Sequence, residues 1–326
     1  MDNSGLYVKI KDWLILFRIQ TAALTAIVPV YPAVAIGYFD ASLKLFFIGI
    51  LVHISGFVMN EYFDLEHDKK AAYLKNKPLV KGSISKRQAI GTFSFTIILS
   101  FLFSYIFFKN FFALAILFVA FSFGTLYNIF GKKIILGDFF LAFWVFAFLI
   151  FGALCVTSEI NIIVYFLCIF AFLQLLFNNS VEGGIKDLET DRNSICIKLG
   201  ARVKDGKAYF PMALKIYAFS IKSIHISLAI IFLFFVPPTY ISFFIFIGLV
   251  SIIHLTLFIF LNIKNFDRNY LKKIFGLHET TTYWLAPVLL LPIIGIIPTI
   301  ILIILPPIWY ISFNAILYSS PLEPQV

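Results

Sequence analysis

The chain has 326 residues, of which 61% are hydrophobic and only 13% are charged, and 41 of them are phenylalanine. A soluble domain carries roughly a quarter of its residues as charged side chains, so this composition excludes an ordinary soluble protein. Apolar runs of about 20 residues, long enough to cross ~30 Å of hydrocarbon, recur along the chain and predict an all-α, multi-pass integral membrane protein.

The charge distribution predicts the orientation in the membrane. The formal net charge is +9, and all 26 Lys and Arg residues except Lys44 and Lys109 fall on one side of the predicted topology. Because Lys and Arg accumulate on the cytoplasmic side of membrane proteins, we expect that side to be cytoplasmic. The same bias accounts for most of the positive charge, so we expect no nucleic-acid partner.

We predict about nine transmembrane helices in a bundle around a central cavity, with a polar cytoplasmic cap formed by long loops. The whole chain, 1–326, is expected to be one integral-membrane domain, with a short interfacial segment at 1–12. Pro306 and Pro307 predict a break after the last helix, with residues 306–318 beyond it. The predicted helices lie at about 13–38, 43–64, 88–108, 111–130, 134–156, 160–182, 214–236, 240–262 and 282–305.

Arg18 lies one or two turns inside the first predicted helix. A cation at that depth is costly unless its side chain reaches the interface or faces a polar cavity. Two interpretations therefore stay open: Arg18 extends to the membrane surface, or it contacts an anion in a functional site.

The second predicted helix ends in an acidic stretch, residues 60–68, around which the sequence is organised. Asn60, Asp64 and Asp68 are spaced four residues apart and would share one helical face. Oxygen-bearing side chains at the polar end of a buried helix suit a hard cation such as Mg²⁺, which binds a few carboxylates together with water and substrate phosphate. Glu61 falls off this face, so we expect it to be solvated or in an ion pair, and His67 to be a surface residue.

A long polar loop, residues 69–87, follows this stretch and is a candidate lid over the site. Its length exceeds the two to eight residues or so that usually join neighbouring helices. The loop carries Lys77 and Lys81 among several other cations, with Pro78 and Gly82 between them.

A second acidic stretch follows the sixth predicted helix, where Asp187 and Asp191 are again four residues apart. Three spans separate the second and sixth helices, so both acidic stretches emerge on the same membrane face. Carboxylates with Mg²⁺ and cationic side chains together would bind a diphosphate and neutralise the charge that develops as it departs. The apolar helices would hold a hydrocarbon chain, and an isoprenyl diphosphate has both parts.

With these two motifs the chain resembles the UbiA superfamily of intramembrane prenyltransferases. The family's first signature, N-x-x-x-D-x-x-x-D, matches Asn60, Asp64 and Asp68, and its second, D-x-x-x-D, matches Asp187 and Asp191. The resemblance also covers the order of the helices and the segments 77–85 and 127–133.

The resemblance implies Mg²⁺-dependent transfer of a polyprenyl group from a prenyl diphosphate to a lipophilic, membrane-accessible acceptor, in quinone or lipid biosynthesis. It implies catalytic roles for Asp64, Asp187 and Tyr127, with Tyr127 beside the reacting carbon. The implied metal ligands are Asn60, Asp64, Asp68, Asp187 and Asp191. The implied diphosphate contacts are Arg18, Lys77, Lys81, Lys132 and Lys186.

The sequence departs from the family pattern before the second acidic pair. The family often has Asn-Asp where this chain has Gly183 and Gly184. Two glycines weaken a helix, so the prediction that Asp187 and Asp191 share a face is less secure than for the first motif.

Several functions stay open at this point. An aromatic acid or phenol, an isoprenylglyceryl phosphate of an archaeal ether lipid, and a haem or chlorin are alternative acceptors within the same family. A cation-coupled transporter is the alternative from another class, although its ion sites would be expected near the bilayer midplane. A non-catalytic membrane scaffold would leave the two acidic pairs unexplained.

Overall fold

The structure is a computed structural model, and it describes residues 3–70, 74–131, 133–189 and 193–320, with the backbone alone at 3–8. The chain forms two compact units. The first unit comprises Met1–Ile129, Ala147–Ile160 and Ile304–Glu323, and the second comprises Phe130–Phe146, Asn161–Ile303 and Pro324–Val326. That the whole chain acts as a single domain stays a prediction.

In the first part of the chain, the described residues form helices joined by turns and by one long loop. Short 3₁₀ turns at Ile19–Thr21 and Phe39–Ala41 precede two of the helices. The helices are α1 (Asn3–Leu16), α2 (Ala22–Ala26), α3 (Val30–Ala35), α4 (Ser42–Asp68), α5 (Lys86–Phe108) and α6 (Phe111–Phe130).

The described residues of the remainder form helices joined by loops, together with one small antiparallel hairpin, β1 (Arg202–Lys204) and β2 (Lys207–Tyr209). A π-helical turn at Asn178–Gly183 joins α8 to α9. The helices are α7 (Gly137–Leu154), α8 (Ile162–Phe177), α9 (Gly184–Lys186), α10 (Ile195–Lys198), α11 (Met212–Phe235), α12 (Tyr240–Leu261), α13 (Arg268–Ile294) and α14 (Ile296–Tyr318).

Within the described residues, eight helices are long and apolar enough to cross a membrane, or nine if the bent segment at the N-terminal end counts as one span. Many of the large hydrophobic side chains that remain exposed, such as Phe112 and Phe234, lie on these helices, where lipid would cover them. The prediction of an all-α, multi-pass membrane protein is therefore confirmed.

The first span is broken, whereas the sequence predicted one helix over 13–38. The axis bends by 46° between Leu16 and Ile19, and further breaks separate α2 from α3. At the bend Arg18 adopts a left-handed backbone conformation, with φ of 45°. A non-glycine residue in this conformation costs about 1–2 kcal/mol, so contacts elsewhere must stabilise it.

The C-terminal helices also differ from the prediction. The segment predicted as a loop, 264–282, is helical from Arg268 onward, and Asp267 caps this helix by accepting the backbone N–H groups of Asn269 and Tyr270. The break falls at Gly295, with φ of 77°, while Pro306 and Pro307 lie inside α14. Glycine adopts a positive φ without steric cost, whereas proline is tolerated in membrane helices where neighbouring groups satisfy the freed carbonyls.

Two glycines permit close backbone contacts in the first unit. A Cβ atom at Gly49 of α4 would lie 2.5 Å from Ala26 Cα, and one at Gly152 of α7 would lie 2.1 Å from the Pro29 carbonyl oxygen. These distances are too short for non-bonded atoms, so only glycine allows the broken first span to approach these helices.

We predict that Gly49→Ala lowers the free energy of unfolding by about 1–3 kcal/mol, because the added methyl group must displace backbone atoms. Gly56→Ala, on the same helix with nothing within 4 Å of the new Cβ, is the matched control. Thermal melting of the two purified variants measures the difference. Equal melting temperatures would contradict the close contact.

Candidate active site

The first acidic motif lies in the last turns of α4, which extends through Asp68. Since these turns are helical, Asn60, Asp64 and Asp68 share one face, as predicted. Asn60 and Asp64 are half-buried and Asp68 is buried. The amide nitrogen of Asn60 donates to Asn128 Oδ1 at 3.2 Å, which directs its carbonyl oxygen, the metal-ligating atom type, elsewhere.

Glu61, next to this face, is buried in an ion-pair network. Its Oε1 accepts from Arg18 Nη2 at 2.6 Å and from Lys77 Nζ at 2.9 Å, and its side chain is only 7% exposed. Lys77 also donates to Asp68 Oδ2 at 2.8 Å. The ion-pair interpretation of Glu61 is confirmed, and the solvated one is wrong.

Arg18 therefore contacts an anion, and that anion is Glu61. Its guanidinium carbon lies 5.1 Å from the centroid of the Phe57 ring, a distance at which a cation is attracted to an aromatic face. Buried His53 stabilises the strained backbone, because its Nε2 lies 2.9 Å from the carbonyl oxygen of Phe17 and 3.1 Å from that of Arg18. Carbonyl oxygens only accept, so Nε2 carries the hydrogen, and Nδ1 accepts from the Thr25 hydroxyl.

The predicted lid loop packs against the helices. Leu79 and Ile84 are buried in a cluster with Leu16 of α1 and Leu65 of α4. Lys81 of the same loop donates to the buried Asp12 carboxylate at 2.7 Å. The loop therefore places Lys77 and Lys81 at defined positions, and His67, which is exposed, is a surface residue as predicted.

The charges of this site suit an added cation. Two cations, Arg18 and Lys77, face the three carboxylates of Glu61, Asp64 and Asp68, and Arg18 lies within electrostatic range of all three carboxylates. Among the described residues, no group of three or more His, Cys, Asp or Glu is arranged to hold a metal by itself. The side-chain oxygens of Asn60, Asp64 and Asp68 are of the type that fits Mg²⁺, which typically takes one or two carboxylates and completes its shell with water and substrate phosphate.

The second acidic motif, in the second unit, has a different local structure. The chain passes through the π-helical turn into α9, which ends at Lys186, so Asp187 lies just past the helix end. Arg268 at the start of α13 donates to Asp187 Oδ1 at 2.8 Å. Lys186 is half-buried beside Asp187, while Asp191 lies outside the described residues.

Packing explains Gly184, the second of the two glycines that stand where the family often has Asn-Asp. A Cβ atom on Gly184 would lie 2.7 Å from the sulfur of Cys196, which is itself fully buried. The Cys196 thiol contacts the carbonyl oxygen of Ser180 at 3.2 Å. A larger residue at Gly184 would thus require α10 to move away.

Tyr127 and Lys132 are two further residues of the predicted site. Tyr127 is half-buried in α6, and Lys132 lies outside the described part of the chain. Asp64 belongs to the first unit and Asp187 to the second. Joint binding of one metal by both motifs therefore stays a prediction.

The sequence analysis missed Arg268, and it also missed a buried polar cluster in the second unit. Lys222 of α11 is 1% exposed and donates to Gln174 Oε1 of α8 at 3.0 Å. Glu182 of the π-helical turn is equally buried and pairs with His278 of α13. An ionisable residue well inside an apolar run, as Lys222 is, was the signal that could have revealed it.

Membrane-length helices with carboxylates and paired cations at their ends define the class of protein as an integral membrane protein with a charged site. The chain belongs to the UbiA prenyltransferase family, whose family model matches residues 22–278. Membership of this family favours the enzyme hypothesis over the transporter and scaffold hypotheses.

Relatives with known names or structures agree with this assignment. One curated relative is the protoheme IX farnesyltransferase of Psychromonas ingrahamii, 39% identical over 100 residues. That match covers 27% of this chain and 32% of the relative, so this chain matches only about a third of the relative's length.

Three solved structures share the fold. A digeranylgeranylglyceryl phosphate synthase has a TM-score of 0.65 at 18% identity, covering 88% of this chain and 99% of that one. A UbiA homologue from Aeropyrum pernix has a TM-score of 0.61 at 16% identity, covering 82% and 94%. A homologue from Archaeoglobus fulgidus, bound to DMAPP and Mg²⁺, has a TM-score of 0.57 at 17% identity, covering 84% and 99%.

We predict that Glu61→Gln destabilises the protein, because it leaves Arg18 and Lys77 without their shared buried anion. Breaking a buried pair by removing one partner typically costs about 3–5 kcal/mol. Glu66→Gln is the matched control on the same helix, since Glu66 is exposed and pairs with the exposed Lys69 and Lys86. Thermal melting measures both variants, and a Glu61→Gln protein as stable as the control would exclude a structural role for the network.

Proposed function

We propose that the enzyme transfers a polyprenyl group from its diphosphate to a membrane-accessible acceptor, and that it depends on Mg²⁺. The observation that carries this proposal is the acidic face of α4 with Arg18 and Lys77 beside it. The Archaeoglobus fulgidus homologue, solved with DMAPP or GPP together with Mg²⁺, supports it.

In this proposal Asn60, Asp64 and Asp68 hold the metal from the first motif, with Asp187 and Asp191 from the second. Mg²⁺, when bound, neutralises negative charge on the diphosphate. Lys77 and Arg18 are already positioned by Glu61, so they can turn to phosphate oxygens with little loss of side-chain entropy. We assign further phosphate contacts to Lys81, Lys132 and Lys186.

The reaction breaks the bond between C1 of the prenyl chain and the diphosphate oxygen. Positive charge develops at C1, and aromatic faces can stabilise it by cation–π attraction. We assign this role to Tyr127 of α6, on the strength of its family position. The acceptor then forms a bond to C1 and releases a proton.

Two classes of acceptor gain support from the comparisons. The digeranylgeranylglyceryl phosphate synthase structure favours an isoprenylglyceryl phosphate, and the protoheme IX farnesyltransferase relative favours a haem. Incubating the purified protein with geranylgeranyl or farnesyl diphosphate and each acceptor, with 4-hydroxybenzoate as a third, identifies the class by mass spectrometry of the product. Lipid that co-purifies with the protein provides an independent answer.

We also propose that the reaction takes place at the cytoplasmic face. The Lys- and Arg-rich loops that carry Lys77 and Lys81 support this orientation by the positive-inside rule. Labelling of a single cysteine introduced at exposed Lys75, by an impermeant reagent in intact and permeabilised cells, tests it.

We predict that Asp64→Asn lowers prenyl transfer by at least about 100-fold, since it removes a carboxylate that stabilises charge in the transition state. Asp40→Asn, at an exposed position of the same unit, is the control and should keep full activity. Diphosphate release with geranylgeranyl diphosphate and Mg²⁺ measures both, and EDTA should abolish it in the wild type. Full activity of Asp64→Asn, or of the wild type in EDTA, would refute the metal site.

We predict that Lys77→Ala raises KM for the prenyl diphosphate more than it lowers kcat, because Lys77 contacts the diphosphate before and during reaction. Lys69→Ala is the control, since Lys69 is exposed and pairs only with exposed Glu66. Steady-state kinetics with varied prenyl diphosphate separate the two constants. An unchanged KM would contradict the assignment.

A further inference from the structure

The second unit carries a small basic surface, of which the hairpin β1–β2 forms one part. The two strands pair with Arg202 opposite Tyr209 and Lys204 opposite Lys207. These four side chains are exposed, because residues alternate between the two faces of a strand. Val203, which points the other way, packs against the hydrophobic core of the unit. The outer face of the hairpin therefore presents three cations and one aromatic ring.

The loop after α12 supplies the other part of this surface. The backbone N–H of Ala208 donates to the carbonyl oxygen of Lys264 at 2.9 Å, and the N–H of Phe266 donates to that of Gly206 at 2.8 Å. Phe266 also packs against the same hydrophobic core as the hairpin. The loop is thus held along β2, and the exposed Lys264 is fixed beside the hairpin as a fourth cation.

The hairpin and this loop enclose a cleft of about 410 Å³, which we call the basic cleft. This volume is within the range of roughly 300–1,000 Å³ that is typical of small-molecule sites. The cations in its wall attract an anion, while the amide and the phenol can donate hydrogen bonds to it. The cleft is lined by Lys207, Ala208, Tyr209, Lys264 and Asn265.

The positive charge around the basic cleft is not neutralised within the described part of the chain. Lys204 and Lys207 are directly opposite each other, and like charges in that position destabilise a strand pair. An anion bound beside them would relieve this repulsion. Ion pairs with carboxylates are formed by other cations of the described residues, and by none of Arg202, Lys204, Lys207 and Lys264.

Two carboxylates lie close to these cations in the sequence. Asp205 is exposed at the turn of the hairpin. Asp267 accepts the backbone N–H groups of Asn269 and Tyr270, so it already serves as the cap of α13. Four cations thus outnumber two carboxylates, one of which is engaged, and the surface keeps a net positive charge.

The basic cleft lies at the end of two membrane-length helices. Helix α11 begins at Met212, three residues after β2, and α12 ends at Leu261, three residues before Lys264. The two helix ends adjoin, since Lys215 Nζ donates to Asn262 Oδ1 at 2.6 Å. A cleft in this position is level with the lipid head groups when the two helices span a bilayer.

We propose that the basic cleft binds the phosphate head group of an anionic membrane lipid, whose acyl chains lie along α11 and α12. Exposed Met212, Ile216 and Phe258 on the adjoining turns of these helices provide an apolar surface for the chains. Tyr209 stands at the polar boundary, where aromatic side chains are enriched in membrane proteins. Each Lys or Arg near an anionic lipid surface strengthens the attraction by about fivefold. The inference goes beyond prenyl transfer and does not depend on it.

Native mass spectrometry of the purified full-length protein tests the lipid preference. The protein is titrated with phosphatidylglycerol and phosphatidylcholine of identical acyl chains. The tightest-bound phosphatidylglycerol should bind the wild type at least about tenfold more strongly than phosphatidylcholine, because only the former carries a net charge. Lys207→Gln combined with Lys264→Gln should remove this preference, whereas Lys207→Arg combined with Lys264→Arg should keep it. A wild type that binds both lipids equally would overturn the proposal.

A matched control separates the basic cleft from the overall charge of the protein. Lys75→Gln combined with Arg87→Gln removes the same charge from exposed positions of the first unit, on the same predicted membrane face. This variant should keep the preference for phosphatidylglycerol. An equal loss in both Gln double variants would mean that net charge alone attracts the lipid, and the cleft would then not be a lipid site.

Thermal melting gives a second measurement. Phosphatidylglycerol should raise the melting temperature of the wild type more than phosphatidylcholine does, since a ligand stabilises the folded state that binds it. The Lys207→Gln, Lys264→Gln variant should lose this difference. Without added lipid it should melt no lower than the wild type, because the repulsion between Lys204 and Lys207 is relieved. A lower melting temperature in that condition would indicate a structural role and would overturn the proposal.

Inorganic diphosphate distinguishes a lipid site from a site for a soluble phosphate compound. The Lys207→Gln, Lys264→Gln variant should bind diphosphate as the wild type does. If it loses affinity for diphosphate and keeps its preference for phosphatidylglycerol, the basic cleft takes a soluble ligand and the lipid proposal is wrong. All of these measurements are made without prenyl transfer, so the failure of this inference and the failure of the proposed function are seen separately.

Discussion

The buried carboxylate of Glu61 is the interaction on which the first unit depends. A carboxylate at this depth of a membrane-length helix needs a cation, and Glu61 has two, Arg18 from the broken first span and Lys77 from the following loop. Satisfying that one charge fixes where the first span bends and how the loop packs. Glu61 itself is not on the face shared by Asn60, Asp64 and Asp68, yet it contacts the two cations that stand beside that face.

In the second unit, too, acidic side chains pair with basic ones. Asp187 lies beyond a helix end and contacts Arg268, whereas Glu182 is fully buried and contacts His278. Glu182 lies within the π-helical turn, whereas Asp187 follows the end of α9. Gly184 completes this local structure, because a Cβ atom at this position would collide with Cys196.

The contrast between the correct and wrong helix predictions has a physical cause. Long apolar runs predict membrane-spanning helices, because in lipid the backbone must satisfy its own hydrogen bonds. They give no periodic signal for where a helix bends. The break at Arg18 depends on contacts from His53 and Glu61, which lie far along the chain. The charged first half of α13 read as a loop because its length and charge exclude a span, although Asp267 is a good helix cap.

The sequence by itself determined the membrane class, the number of spans, the family and the residues of the first acidic face, because length, polarity and i, i+4 spacing are local properties. It also determined that Glu61 leaves that face. Only the tertiary structure decided which cations Glu61, Asp68 and Asp187 contact, and that Glu182 pairs with His278. Such pairings join residues as much as 96 positions apart, as for Glu182 and His278, and depend on how helices pack, which no local pattern encodes.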